Sequence, residues 1–298
     1  MTNRSIWLEV ALNGPWARAL QPRIPITVDE LVAEGIACAR AGAAIIHVHA
    51  YDERTGRQRD DAETYRRIIG GIREREDVIV YPTLPVMGGP DAPRAMTAPE
   101  RFKAVEQLAM QGLLEWSVVD PGSLNLAHHH RLAAKEEGFV YLNPEGHVRY
   151  GLELAARYGF HPSYAIYEPG FLRLGAALAR VHDTPMPIYR FMFSDGFAFG
   201  FPPRTYGLEA YLRLLEDEAP GAPWMIAGLA VDIRALIPAA VARGGHVRVG
   251  LEDAPLGTEI SNPEWVEQAA AAIASAGGRI ATAPEVRACL APAAGDAP

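Results

Sequence analysis

Ala43-Ala44-Ile45-Ile46-His47-Val48-His49 runs an uncharged apolar stretch into two histidines spaced two residues apart. Residues two apart on a strand share a side, so both imidazoles can face one point. Two neutral imidazoles on one face make half of a metal site. Far downstream, Val247-Arg248-Val249 runs into Gly250-Leu251-Glu252-Asp253, a second strand that ends in carboxylates. The two segments read as strand ends converging on a divalent cation.

Strand-like and helix-like segments alternate along the whole chain. Apolar runs are centred on Ile6–Leu12, Ala43–His49, Val78–Tyr81, Trp116–Val119, Ser163–Tyr167, Pro187–Phe193, Trp224–Ala227 and Val247–Gly250. Helical patterns follow them at Thr27–Arg40, Asp61–Arg75, Pro99–Gln111, Glu145–Tyr158, Phe171–Val181, Thr205–Glu218, Asp232–Ala242 and Pro263–Ala276, the first stopped by Gly42. An insert after the fourth strand contains Phe139–Leu142. Alternation alone fits an open doubly wound sheet as well as a barrel. The ligand-like residues decide, because they sit on strands two and eight. Those strands flank strand one in a closed barrel, and barrel sites lie at the C-terminal strand ends. The expected fold is one (β/α)8 TIM-barrel domain over residues 1–298. Residues 281–298 form a C-terminal extension, a short helix near Glu285–Leu290 with a frayed end.

Composition narrows the function. A chain of 298 residues with 49% hydrophobic and 21% charged residues has material for a sizeable core. A net charge of −8 argues against nucleic acid or an anionic membrane as partner. The two cysteines, Cys38 and Cys289, fall in helical segments and read as buried or half-buried reduced thiols. With no apolar signal stretch and no run of membrane-spanning length, a soluble cytoplasmic protein is expected.

Three blocks carry a family resemblance: Glu9-Val-Ala-Leu-Asn-Gly14, Ala41-Gly-Ala-Ala-Ile-Ile-His-Val-His49 and Gly244-Gly-His-Val-Arg-Val-Gly-Leu-Glu-Asp253. In order and spacing the chain resembles the β-keto acid cleavage enzymes, first described for 3-keto-5-aminohexanoate. The resemblance implies a zinc-dependent barrel, a homodimer or homotetramer, that condenses a β-keto acid with acetyl-CoA. The products would be acetoacetate and a new acyl-CoA. It implies His47, His49 and Glu252 as zinc ligands, Arg248 and Asp253 as the catalytic pair, and Thr83 as a hydroxyl for the substrate carboxylate. Chemically the set is consistent. Two histidines and one carboxylate leave an open position on zinc, and a Lewis acid there favours loss of the proton between keto and carboxylate groups. Arg248 can hold Asp253 ionised through a charge-assisted bond. The chain differs from the usual family pattern at Ala254, at Tyr81-Pro-Thr83 and along strand five, where Glu168 is the one acidic residue. These positions fall where substrate is expected.

Other residues suggest roles by themselves. Ser123, Asn125 and Glu168 are placed for polar contacts to substrate at the barrel mouth, Glu168 toward a cation. Glu9, a carboxylate within a strand, is either a support for the metal site or a partner of a neighbouring strand. His128-His129-His130 splay apart and read as an exposed loop or helix start. Ser194–Gly200 is open either to a phosphate or pantetheine or to simple packing. Asp232 reads as a helix cap. The alternative function is a zinc-dependent lyase or aldolase that works on the same kind of substrate without CoA. An amidohydrolase fits less well, since its histidine pair sits on the first strand.

Overall fold

The computed structural model describes residues 4–89 and 95–291. Eight strands form one parallel sheet: Leu8–Ala11 (β1), Ile45–Val48 (β2), Ile79–Pro82 (β3), Trp116–Val118 (β4), His161–Ile166 (β5), Ile188–Phe193 (β6), Trp224–Gly228 (β7) and His246–Val249 (β8). Their order is β3-β2-β1-β8-β7-β6-β5-β4. The two end strands lie side by side, with the Tyr81 and Trp116 rings 5.9 Å apart, so the barrel is nearly closed. Helices Val28–Ala41 (α1), Ala62–Arg73 (α2), Lys103–Met110 (α3), Glu145–Tyr158 (α4), Pro169–His182 (α5), Thr205–Glu218 (α6), Ile237–Arg243 (α7) and Asn262–Ser275 (α8) cover the outside. The expected TIM barrel is therefore present, with strands two and eight either side of strand one.

Local chemistry sets the element ends. Thr27 and Glu30 form a reciprocal capping box at the start of α1, and Gly42 ends it at φ 120°. Asp61 caps α2 through the Thr64 amide. Strands covered on both sides read as near-continuous apolar runs, which is why alternation did not mark their inner faces. Phe191 shows the outward direction on β6, stacking on Tyr211 of α6 at 4.9 Å. Its neighbours Arg190 and Met192 consequently point into the barrel.

Several expected boundaries change. The helix expected over Pro99–Gln111 breaks at Phe102, leaving Ala98–Arg101 separate from α3. The Phe102 ring packs where Gly151 of α4 lacks a side chain. Asp232 caps no α-helix. Its carboxylate holds the Arg234 amide and guanidinium ahead of a short 3-10 turn at Arg234–Leu236. The insert after β4 is an antiparallel hairpin of Leu124–Leu126 with Phe139–Tyr141. The first apolar run divides, because Arg4–Ile6 leaves the barrel to pair with Gly278–Ile280. Cys38 is buried, whereas Cys289 is exposed rather than half-buried. The terminal helix, Ala283–Leu290, docks through Arg287, which bonds Asp77 and Glu115. The frayed end expected beyond it falls at 292–298, outside the described residues.

The barrel floor contains a buried titratable group. The His246 ring stacks on Trp7 at 3.9 Å, and its Nδ1 accepts the Trp7 amide at 3.1 Å. Burial pushes its imidazole down to about 3. The folded protein therefore keeps His246 neutral where an unfolded chain would protonate it, at about 6.5. Stability from this group is complete above that value and is lost as pH falls toward the folded value. At pH 5 the loss is about 2 kcal/mol. Urea unfolding at pH 7 and pH 5 should show wild type losing about 2 kcal/mol more than His246→Gln over that interval. An identical pH dependence in both proteins would contradict the assignment.

Among the described residues, no helix is long and apolar enough to cross a membrane.

Candidate active site

β2 and the turn after β8 bring three ligand atoms together. His47 and His49 Nε2 lie 3.3 Å apart. Glu252 Oε2 is 3.5 Å from the first and 3.4 Å from the second. Bonds of about 2.0–2.1 Å at tetrahedral angles put donor atoms about 3.3–3.4 Å apart, so the trio matches one face of such a site. Two further observations support the fit. Glu252 Oε2 is buried without a hydrogen-bond partner among the described residues. His49 Nδ1 lies 3.0 Å from Gln58 Oε1 and donates there, which turns Nε2 toward the cluster. His47 is neutral, because burial drives its imidazole well below the usual range. Burial opposes charge on Glu252, but the Arg248 guanidinium outweighs it and keeps the carboxyl well below its ordinary value.

The backbone around the trio is fixed by the first block of the sequence. Asn13 clamps His49, accepting its amide at 3.0 Å and donating to its carbonyl at 2.9 Å. Trp16 Nε1 donates to the Glu252 carbonyl at 2.8 Å. Gly14 sits at φ 63°, and a Cβ there would lie 2.6 Å from Glu252 Cγ. Gly14→Ala should therefore displace Glu252 and weaken divalent-ion affinity by about ten- to a hundredfold. Competition against a chelating dye measures this directly, and an unchanged affinity would contradict the placement of Glu252.

Beside the trio, Arg248 is a buried hub for three carboxylates. Its Nε and Nη2 each donate to Asp253 at 2.9 Å, a two-point fork. Nη2 also lies 3.0 Å from Glu252 Oε1, and Nη1 donates to Glu9 at 3.1 Å. The Tyr81 hydroxyl donates to the same Glu9 oxygen at 2.6 Å. Glu9 thus bonds the neighbouring strand β8 through Arg248, reaches β3 through Tyr81, and supports the hub beside the trio. Asp253 departs from the expectation that Arg248 would dominate its ionisation. Burial is the larger effect and, with Glu252 and Glu9 nearby, pushes its carboxyl up to about 6 despite Arg248.

The remaining residues named from sequence spread around the mouth. Thr83 follows β3, held next to β2 by its amide bond to the Val48 carbonyl at 3.1 Å, and is buried. Ser123 Oγ accepts the Asn143 amide at 2.7 Å, so that hydroxyl serves the hairpin. Asn125 is exposed on the same hairpin, paired with Val140. Glu168 accepts the Gly200 amide at 3.2 Å and, with His129, Asp195, Phe197 and Phe199, lines a separate cavity of about 430 Å³. Two acidic side chains there make the Ser194–Gly200 loop a poor cradle for phosphate. His128 caps the exposed helix His129–Ala133, in line with the expected helix start.

Sequence reading passed over two polar groups in the barrel interior, Arg190 and Asp120. Arg190 is a charge inside an apolar strand, and that is the signal that could have exposed it.

A family model described as beta-keto acid cleavage enzyme matches residues 5–291. The 3-keto-5-aminohexanoate cleavage enzyme of Fusobacterium nucleatum is 27% identical over 275 residues, covering 90% of this chain and 91% of that protein. The 3-dehydrocarnitine:acetyl-CoA trimethylamine transferase of Rhizobium meliloti is 25% identical over 303 residues, covering 96% of each. Among solved structures, ObcA with oxaloacetate superposes at a TM-score of 0.69 with 16% identity, over 90% of this chain and 67% of that one, a likeness of fold. With a match that spans nearly the whole chain, and the blocks that carried the resemblance now gathered in one site, this protein belongs to the beta-keto acid cleavage enzyme family.

Proposed function

We propose that this protein is a metal-dependent acyltransferase that condenses a β-keto acid with acetyl-CoA, releasing acetoacetate and a new acyl-CoA. The observation that carries the reading is the Arg248–Asp253 fork, which holds a buried carboxylate directly beside a three-donor metal trio. His47, His49 and Glu252 would hold the divalent ion, zinc by the ligand types. When bound, the ion supplies Lewis acidity toward the substrate oxygens.

The chain's own residues then divide the work. Asp253 takes the proton from the carbon between the keto and carboxylate groups, and a carboxyl near 6 suits a base acting around neutral pH. Arg248 fixes the direction of that carboxylate, and Glu9 with Tyr81 fixes Arg248. Thr83 offers its hydroxyl to the substrate carboxylate. Of the three residues read as substrate contacts, Asn125 has the side chain freest to reach substrate, while Ser123 holds the hairpin and Glu168 lines the separate cavity. The carbanion forms a bond to the acetyl carbonyl as the thioester C–S bond breaks. CoA thiolate then attacks the original keto carbon, the older C–C bond breaks to release the new acyl-CoA, and the acetoacetate carbanion takes back the proton held by Asp253.

The test is a panel of β-keto acids assayed with and without acetyl-CoA on metal-quantified enzyme. Acyl-CoA and acetoacetate should appear together, and only with acetyl-CoA. Turnover that needs no CoA would replace this reading with a lyase.

A further inference from the structure

The turn after β2 returns the chain to its own strand end. Asp52 closes it, its carboxylate accepting the Arg54 and Thr55 amides, with Gly56 at φ 65°. Gln58 then pairs with Tyr51, and the Arg59 amide donates to the Ala50 carbonyl at 2.8 Å. That pairing lays Gln58 against His49, with Oε1 3.0 Å from Nδ1. The other end of the amide is equally committed. Nε2 donates to Asp60 Oδ2 at 2.8 Å and faces the Leu84 carbonyl at 3.5 Å. Asp60 Oδ1 accepts the Tyr65 hydroxyl at 2.6 Å, and that hydroxyl accepts the Ala50 amide at 3.2 Å. Burial pushes the Asp60 carboxyl up, while these two donors favour its ionised, accepting form.

An amide has one accepting end and one donating end, so its direction matters to what lies on either side. Reversed, Gln58 would set its oxygen against the Asp60 carboxylate and the Leu84 carbonyl, both of which only accept. Its N–H groups would then face His49 Nδ1. A histidine that gives Nε2 to a metal carries its remaining proton on Nδ1 and needs an acceptor there. The direction held by Asp60 and Leu84 supplies that acceptor. His47 has no such support. Its Nδ1 is buried without a partner among the described residues, and the Tyr81 ring packs on it at 4.6 Å. We propose that Gln58 and Asp60 are positioning residues for the metal ion: Asp60 fixes which end of the Gln58 amide meets His49, and Gln58 thereby presents His49 Nε2 to the trio. Neither residue is a ligand. This inference rests on the trio holding a divalent ion, as proposed above.

Two measurements test it, and neither reads turnover. In the first, zinc affinity is measured by competition against a chelating dye. Gln58→Leu should weaken it by about ten- to a hundredfold. Gln58→Glu, whose carboxyl can accept from Nδ1 while holding a proton toward Asp60, should recover most of that loss. Asp60→Ala should lose part of the affinity, and adding it to Gln58→Leu should cost nothing further, because Asp60 acts through Gln58. A merely structural contribution would add. In the second, nitrogen-15 histidine spectra of zinc-loaded protein should show a slowly exchanging His49 Nδ1–H in wild type and Gln58→Glu that is lost in Gln58→Leu. Unchanged affinity in Gln58→Leu, or losses that add in the double variant, would overturn the inference. If Asp60→Ala does not fold, the two Gln58 variants and the Nδ1–H signal decide. Zinc held as tightly after His49→Ala, or not bound by wild type, would remove the trio as the metal site and this role with it. If no β-keto acid turns over but zinc affinity depends on Gln58, the positioning role stands and the proposed reaction fails.

Discussion

Replacing Arg248 with methionine is expected to destabilise the barrel by about 3–5 kcal/mol and to strip it of its metal and activity. Arg248 is 1% exposed and is the shared counter-charge for Glu9, Glu252 and Asp253. Without it, three carboxylates share a buried space with no cation among these partners. The cheapest response is protonation, and a protonated Glu252 is a poor ligand. Loss of fold stability and loss of metal affinity should therefore appear together. Arg248→Lys should rescue neither fully, because one ammonium cannot reproduce the planar fork to Asp253 and reach Glu9 as well. Urea unfolding and metal analysis on the same preparations check this. A variant within about 1 kcal/mol of wild type that still binds metal stoichiometrically would show that Arg248 is not the hub.

Asp253→Asn should separate chemistry from architecture. Asparagine can still accept from Arg248 but cannot take a proton. The expected fall in kcat is about 10²–10⁴-fold, the range for losing a general base. Stability should hold or rise, since burial already disfavours the Asp253 charge. Metal content should stay at the wild-type level. The pH profile gives an independent check. A base pushed up to about 6 must be ionised to act, so the wild-type rate should be present above that value and fall as pH drops through it. The residual rate of Asp253→Asn should lack this limb. A kcat within about tenfold of wild type, with the limb intact, would assign the proton transfer to another group.

Much of the fold and of the metal trio was legible in the sequence for a physical reason. His47 and His49 share a strand face by period-two geometry, and Glu252 follows the strand that flanks β1 on its other side. Both facts depend on chain order and barrel closure, which local patterns encode. The hub was only half legible. Arg248 and Asp253 are near neighbours, but the third and fourth members, Glu9 and Tyr81, meet them from two other strands. No local pattern records that meeting. Arg190 was passed over because every barrel strand is buried on both faces, so its inward direction shows only once Phe191 is seen packing outward on Tyr211. Ser123 and Asn125 suit polar contacts at the mouth, but the Leu124–Leu126 strand pairs with a segment 15 residues downstream of it, which no local pattern records. Asp232 followed a sound local rule but met Arg234 instead of a helix start.

The most direct measurement follows acetyl-CoA labelled with carbon-13 in both acetyl carbons, incubated with metal-loaded enzyme and an unlabelled β-keto acid. Acyl transfer through the carbon activated by Asp253 puts the label into the methyl and keto carbons of acetoacetate and leaves the new acyl-CoA unlabelled. Label in the new acyl-CoA, or unlabelled acetoacetate, would contradict that bond-making and bond-breaking order and with it the proposed function.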